Sequence, residues 1–162
     1  MQRRDILKTA AFTSLSASGS MLAQTPANAA PKSRRARPDV ETRDGARLFL
    51  RDWGEGKPVL FLHGWALASD MWAYQMPPMT AAGFRCIAYD RRGHGRSSDP
   101  GRGYDYDALA GDLDTVLTTL GVNDVTLVGH SFAAGEMVRY LTKFGDRRVS
   151  RLVFVSPAAT PG

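Results

Sequence analysis

The stretch Val125-Thr126-Leu127-Val128-Gly129-His130-Ser131-Phe132-Ala133 decides the fold of this chain. It joins a short apolar run, typical of a buried strand, to an amphipathic segment at 132–144 that predicts a helix. Ser131 stands at the junction, between the small residues Gly129 and Ala133, in a variant of the G-x-S-x-G pattern. A serine that merely caps the helix would also fit these residues. The succession of strand, tight turn and helix favours a nucleophilic Ser131 whose Oγ projects beyond the end of a sheet.

The small residues beside Ser131 have a physical reason. A nucleophile held on a strained turn brings neighbouring backbone close on both sides, so Gly129 and Ala133 must lack bulk. The helix that starts beyond Ser131 also directs N–H groups and the positive end of its dipole toward a carbonyl bound there.

Apolar runs and helical patterns alternate along the rest of the chain. We predict strands at 40–43, 46–53, 59–62, 85–89, 125–128 and 149–155. Helices are predicted from Ser69 or Asp70, either of which would cap the first turn, and at 106–120 and 132–144. Because Asp44-Gly45 is a hairpin signal, the strand after it should be antiparallel. The alternation elsewhere predicts an α/β fold, a mostly parallel sheet with helices on both faces.

Two further motifs follow predicted strands. His63-Gly64-Trp65 comes directly after 59–62, and His63 there is either a structural hydrogen-bonding residue or a general base. Asp90-Arg91-Arg92-Gly93-His94-Gly95-Arg96-Ser97 follows 85–89. Its charges alone would allow phosphate binding, but the phosphate-loop pattern is absent, which favours a structural turn at the floor of the site.

Together with Phe49-Leu50-Arg51-Asp52-Trp53-Gly54 and Gly-Glu-Met-Val-Arg-Tyr at 135–140, these motifs resemble the α/β-hydrolase family, in its cofactor-free haloperoxidase and arylesterase branch. The resemblance runs from Val40 to Pro157. It implies a carboxylesterase that acts through an acyl-enzyme on a small-molecule ester or acid. Many such enzymes also form peracids from hydrogen peroxide and a carboxylic acid, and the peracid oxidises halide. Ala133 and Ala134 stand where that branch often has glycines.

The resemblance also implies roles for backbone groups. The amides of Trp65 and Phe132 would form the oxyanion hole, one from the loop after a strand and one from the residue after the nucleophile. Family members carry the triad in the order Ser, then Asp or Glu, then His. The acid should follow a later strand than those in this chain, and no histidine follows His130, so we expect neither the triad acid nor the triad histidine in this chain. We therefore expect the N-terminal part of the fold, with about six of eight strands, and an inactive chain on its own.

Other chemistries of this fold are partly excluded. A dehalogenase or an epoxide hydrolase would have an aspartate where Ser131 stands. A hydroxynitrile lyase or a carbon–carbon hydrolase would keep the serine, and both remain open. A truncated product that is unstable or serves only as a binding partner is the non-catalytic alternative.

The first 29 residues predict a twin-arginine export signal. Arg3 and Arg4 precede apolar residues, and Ala27-Asn28-Ala29 supplies a cleavage site. A chance arginine pair in a disordered N-terminus is the alternative. We expect residues 30–38 to form a basic linker and 39–162 to form the N-terminal part of the hydrolase domain. The expected location is the periplasm or the cell exterior.

Composition bears on five further properties: disorder, nucleic-acid binding, membrane anchoring, disulfide bonds and metal binding. With 43% hydrophobic residues the chain can bury a core, and much of its net charge of +5 lies in the signal and linker. No aromatic residue interleaves with the linker's charges, so no nucleic-acid partner is predicted. The apolar stretch 9–23 is too short and polar for a stable membrane anchor. The single Cys86 allows no intramolecular disulfide, and His63, His94 and His130 lack zinc spacing, so no metal or other cofactor is expected.

Overall fold

The structure, a computed structural model, describes residues 39–158. The predicted signal peptide and the linker at 30–38 lie outside these residues. Seven strands are described: β1 (Val40–Glu41), β2 (Arg47–Leu48), β3 (Leu50–Trp53), β4 (Lys57–Leu62), β5 (Phe84–Tyr89), β6 (Val125–His130) and β7 (Val149–Val155). The α-helices are α1 (Met76–Ala81), α2 (Tyr106–Thr119) and α3 (Ala133–Phe144), and a short 3₁₀ helix spans Ser69–Trp72.

The main sheet has five strands in the order β3-β5-β4-β6-β7. Strand β3 is antiparallel to β5, and the other pairs are parallel. The chain moves from β4 to β5 on one side and then returns to place β6 on the other side of β4. Ligands of open α/β sheets bind at such a reversal, outside the carboxyl ends of the strands. The predicted α/β fold with a mostly parallel sheet is confirmed.

Alternate residues of β4 enter two different cores. Leu60 and Leu62 pack with the apolar faces of α2 and α3, whereas Val59 and Phe61 pack with Trp72 and Met76. Helices therefore cover both faces of the sheet, as a strand with apolar residues on both sides requires. Helix α2 begins at Tyr106 because the Asp105 side chain accepts a hydrogen bond from the Ala108 amide. Among residues 39–158, no helix is long and apolar enough to cross a membrane.

Three sequence predictions need correction. The strand predicted at 46–53 is divided at Phe49, because the Phe49 amide donates to Ser97 Oγ and its carbonyl accepts from the Asp90 amide. Strand β2 therefore belongs to a separate two-stranded hairpin with β1, and the main sheet has five strands rather than about six. Neither Ser69 nor Asp70 caps a helix with its side chain. Instead the Ser69 amide is itself capped by Asp90 Oδ1, at 2.7 Å.

Strand β7 is the third correction, since the sequence predicts a buried strand there. In the described chain it pairs only with β6, and its side chains are largely solvent-exposed. Phe154, for example, is 42% exposed. The apolar pattern of β7 is that of a strand covered on both faces, but residues 39–158 cover only part of it.

Candidate active site

Ser131 lies one residue beyond β6 with φ at +53°. A non-glycine residue rarely adopts this left-handed conformation, and its presence marks local strain. Hydrogen bonds hold the turn on both sides of Ser131. The Ser131 amide donates to the Val155 carbonyl at 3.0 Å, and the Ser131 carbonyl accepts from the Ala134 amide at 3.1 Å. The Ser131 Oγ makes no hydrogen bond to any residue in 39–158. The hydroxyl is thus presented at the carboxyl edge of the sheet without a protein partner from the described part of the chain.

The residues that flank Ser131 are tightly packed. A Cβ added to Gly129 would overlap the Met137 sulfur and would lie 3.0 Å from the Cβ of Ala133. Ala133 is fully buried. The strand and the helix therefore pack so closely that a side chain at position 129 would require Met137 to move.

The loop after β4 begins beside this turn. Leu62 is paired with Gly129 in the parallel register of β4 and β6, so His63-Gly64-Trp65 and His130-Ser131-Phe132 leave the sheet at neighbouring points. The Trp65 and Phe132 rings are in contact, with centroids 5.0 Å apart. Neither the Trp65 amide nor the Phe132 amide donates to an acceptor within residues 39–158. Two unused N–H groups thus belong to adjacent segments at the sheet edge.

Gly64 lies close to a side chain from the neighbouring strand end. A Cβ at this position would lie 2.7 Å from Nδ1 of His130. The glycine therefore makes room for the imidazole that precedes the nucleophile. That Nδ1 is buried and has no hydrogen-bond partner within 39–158.

His63 is a buried structural residue. Its Nε2 accepts from the Arg91 amide at 3.0 Å, which leaves the proton on Nδ1, where it is donated to the Gly64 carbonyl at 2.7 Å. Burial, reinforced by the positive charge of Arg91, lowers the pKa of His63 to about 3. Because both nitrogens are engaged and the ring is neutral near pH 7, His63 is not available as a general base.

His94 supports the same loop from the neighbouring turn, which follows the parallel strand β5. Its Nε2 accepts from the Ala66 amide at 3.2 Å, and its Nδ1 pairs with the Arg92 carbonyl at 2.8 Å. Ala66 has φ at +58°, so the hydrogen bond stabilises a left-handed residue directly after Trp65. A depression of about 560 Å³ lies beside the loop and is lined in part by Trp65, Leu67, His94 and Tyr104. Ser131 does not line it.

The turn after β5 is structural, as the sequence indicates. Asp90 is fully buried and accepts from the amides of Ser69 and Arg96 at 2.7 and 2.9 Å. Burial alone would raise the pKa of Asp90, but hydrogen bonds from Ser69 and Arg96 outweigh it and lower the pKa overall. The ionised carboxylate therefore fastens the 3₁₀ helix to the turn.

A buried charge cluster beneath the site was not expected from the sequence. Arg91 Nε donates to Glu136 Oε2, and Nη1 donates to the His63 carbonyl. The Tyr89 hydroxyl donates to the other Glu136 oxygen. Burial and the Glu136 carboxylate raise the pKa of Tyr89, which keeps its proton on oxygen. The available signal was a glutamate on the apolar face of α3, but sequence alone did not identify its partner.

No carboxylate or imidazole hydrogen-bonds to the Ser131 Oγ within 39–158, so the described chain brings together a serine and two amides but no base. In the same residues, no group of three or more His, Cys, Asp or Glu side chains could hold a metal ion.

Curated relatives carry similar sequences over most of this chain. A non-heme chloroperoxidase of Kitasatospora aureofaciens is 48% identical over 119 residues, which are 74% of this chain and 43% of the relative. A bifunctional esterase/perhydrolase of Acinetobacter calcoaceticus is 43% identical over 119 residues, or 72% and 43% of the two chains. The chain thus spans less than half the length of the curated relatives it matches.

Solved structures also resemble this chain over most of its length. An esterase from Exiguobacterium antarcticum superposes with a TM-score of 0.74 and 37% identity, covering 75% of this chain and 46% of the esterase. Residues 57–162 match the family model of the alpha/beta hydrolase fold, and that stretch contains β4, the nucleophile turn and the structural turn after β5. From this match and from the arrangement at the sheet edge, we conclude that the chain belongs to the α/β-hydrolase fold family.

Proposed function

We propose that the complete protein is a serine hydrolase of carboxylic esters, with Ser131 as nucleophile. The observation that carries the proposal is the backbone of Ser131, at φ +53° directly beyond β6 and beside two unused amides. A strained strand-to-helix turn of this kind exposes a serine Oγ at the carboxyl edge of the sheet. The names of the relatives, which include esterases and a perhydrolase, support an acyl-transfer reaction.

In the proposed reaction the Ser131 Oγ attacks the ester carbonyl and loses its proton to a general base. The amides of Trp65 and Phe132 stabilise the resulting oxyanion. The C–O bond of the ester then breaks, and the alcohol leaves with the proton from the base. Water attacks the acyl-serine next, which releases the carboxylic acid and restores the Ser131 hydroxyl.

The general base in this proposal is a histidine outside residues 1–162, aided by a carboxylate that is also outside them. Both ring nitrogens of His63 and of His94 take part in hydrogen bonds. His130 has its Nδ1 buried against Gly64. None of the three is therefore assigned the role of base.

Perhydrolysis is a second candidate activity, and the Acinetobacter esterase/perhydrolase favours it. Hydrogen peroxide would replace water as the attacking group on the acyl-serine and release a peracid, which oxidises halide in solution. Bromide oxidation in acetate buffer with hydrogen peroxide tests this activity. The signal should disappear in Ser131→Ala, because peracid formation passes through the same acyl-enzyme.

A catalytically incompetent chain is the third candidate. It is favoured by the absence, within 39–158, of any imidazole or carboxylate hydrogen-bonded to the Ser131 Oγ. Without a base, a serine enzyme retains only about 10³–10⁴ over the uncatalysed rate from positioning and the oxyanion hole. Such activity would be lost in the background of an ordinary ester assay.

One experiment separates these candidates. The complete protein is treated with a fluorophosphonate probe and assayed with p-nitrophenyl acetate, beside Ser131→Ala and Ser156→Ala. Ser156 is the matched control because it also follows a strand with positive φ, at +43°. We expect labelling and turnover in the parent and in Ser156→Ala and neither in Ser131→Ala. Full turnover by folded Ser131→Ala would refute the nucleophile, and a parent that is neither labelled nor active would favour the incompetent chain.

The cellular location is also a proposal. We infer export through the twin-arginine pathway to the periplasm or the cell exterior from Arg3, Arg4 and the Ala27-Asn28-Ala29 site. These residues lie outside the part of the chain that the structure describes.

A further inference from the structure

Arg91 and Glu136 form an ion pair in the core, with side chains 1% and 0% exposed. Glu136 lies in the first turn of α3, the helix that begins just after Phe132. Arg91 holds His63 twice, through Nη1 to the His63 carbonyl and through its own amide to the His63 ring. The pair therefore connects the segment that leads into Trp65 with the helix that follows Phe132.

The contacts of Arg91 extend to the proposed site itself. Its guanidinium carbon lies 5.8 Å from the centroid of the Phe132 ring. Phe132 in turn contacts the Trp65 ring. A displacement of Arg91 would thus move the Phe132 ring and, through it, the Trp65 ring, so that both proposed oxyanion donors would shift.

Stability alone does not explain such a pair. Replacing a buried ion pair by apolar residues of similar volume is often neutral or stabilising, because desolvation offsets the attraction. Arg91 Nη2 is also buried and lacks a hydrogen-bond partner within residues 39–158. An oxyanion hole, in contrast, needs donors within about 2.7–3.1 Å of one oxygen, and this requires the two segments to be fixed relative to each other.

We propose that Arg91 and Glu136 are positioning residues that hold the Trp65 and Phe132 amides at the spacing required to bind one oxyanion. The pair acts through His63 on one side and through the first turn of α3 on the other. This inference rests on the proposed serine-hydrolase function. Neither residue touches the substrate in the proposal, so the expected effect is on turnover rather than on substrate binding.

The test uses the complete protein with the double change Arg91→Met and Glu136→Gln, which leaves no unpaired charge and keeps an acceptor for Tyr89. The control is Arg92→Met with Asp112→Leu, since Arg92 and Asp112 form a similarly buried pair that does not contact His63, and the second partner of Arg92, Asp44, is 40% exposed and stays in contact with water. We expect kcat to fall at least tenfold in the first variant with KM near the parent value, because loss of one oxyanion donor costs about 10²–10³ in rate. The control should keep kcat within about twofold per folded molecule.

A spectroscopic measurement keeps the inference testable if no ester is turned over. Incorporation of 5-fluorotryptophan gives ¹⁹F resonances that include those of Trp53, Trp65 and Trp72, and Trp65→Phe assigns the resonance of Trp65. The Trp65 resonance should shift or broaden in the Arg91/Glu136 variant and stay in place in the Arg92/Asp112 control. An unmoved Trp65 resonance, or an unchanged kcat in a folded Arg91/Glu136 variant, overturns the proposal. If the parent is inactive and Ser131 unlabelled, the proposed function fails and the resonance alone decides the positioning role.

Discussion

Leu62 of β4 and Gly129 of β6 are direct partners in a parallel strand pair. Three residues beyond Leu62 the chain reaches Trp65, and three residues beyond Gly129 it reaches Phe132. Parallel strands end at the same edge of a sheet, so this one register relationship brings the two proposed oxyanion donors together. A slip of one residue would turn the side chains of one strand to the other face of the sheet. The apolar residues of that strand would then leave their core, and the loops that follow the two strands would no longer be adjacent.

The role proposed for Trp65 depends on its backbone rather than on its indole. Trp65→Pro removes the N–H, and we expect kcat to fall by about 10²–10³ in the complete protein, the loss typical of one oxyanion donor. Trp65→Ala keeps the N–H and removes the ring contacts with Phe132, His94 and Tyr104, so it should retain most of the turnover. Steady-state kinetics on p-nitrophenyl acetate measure both.

Proline also constrains the loop, which makes the alanine variant the necessary comparison. Equal losses in Trp65→Pro and Trp65→Ala would show that the indole matters and would contradict the backbone assignment. Circular dichroism and thermal unfolding establish that both variants are folded.

Gly129 is predicted to tolerate no side chain. In Gly129→Ala the new methyl group meets the Met137 sulfur and lies 3.0 Å from the Ala133 methyl group, so the buried Met137 side chain must repack and the helix must shift slightly from the strand. Overpacking of this kind costs about 1–3 kcal/mol of the free energy of unfolding. The rate of Ser131 labelling by a fluorophosphonate should fall as well, because the nucleophile turn lies between the displaced elements.

Gly111→Ala is the matched control for this prediction. Gly111 lies inside α2, and a Cβ there meets nothing within 4 Å. Replacing a helix-interior glycine by alanine stabilises by roughly 0.5–1 kcal/mol. The two glycine-to-alanine changes should therefore shift the guanidinium midpoint in opposite directions, and a stabilised Gly129→Ala would contradict the packing argument.

The main elements of this fold could be predicted from sequence because each carries a local signal. The apolar stripe of α2 and the apolar runs of β4 and β5 are all buried as their periodicity indicates. The turn at Ser131 could be located for the same reason, since the end of a strand and the start of a helix meet at one residue.

Other features depend on contacts between distant parts of the chain. The break at Phe49 arises because Ser97 and Asp90 bind its backbone, 48 and 41 positions away in sequence. Likewise the Arg91–Glu136 pair joins residues that are 45 positions apart. No local pattern encodes such pairings, so the sequence indicates the motifs but not the hydrogen bonds that hold them.

Export is predicted to require both arginines of the proposed signal. A double change of Arg3 and Arg4 to lysine should leave unprocessed precursor in the cytoplasm, because the twin-arginine pathway recognises the pair. Cell fractionation with N-terminal sequencing measures the result, and the parent should yield a mature form that begins near Ala30. The same mature form from the double variant would contradict the assignment.

His63 makes the stability of the fold depend on pH in a defined window. Its pKa falls from 6.5 to about 3 on folding, chiefly because the ring is buried. As the pH drops below 6.5 the unfolded state takes up a proton that the native state still excludes, so acid favours unfolding. Between pH 7.5 and 5 this single group should remove about 2 kcal/mol from the free energy of unfolding.

His63→Gln provides the comparison, since glutamine can accept the hydrogen bond from the Arg91 amide but does not titrate. Guanidinium unfolding of the complete protein is followed at pH 7.5 and at pH 5. The parent should lose about 2 kcal/mol more than His63→Gln between the two conditions. Carboxyl groups with lowered pKa values, such as Asp90, act at lower pH and are common to both proteins, so they cancel from the difference. Equal losses in the two proteins would show that His63 is not held neutral in the native state, and its hydrogen bonds to Arg91 and Gly64 would then need to be reassigned.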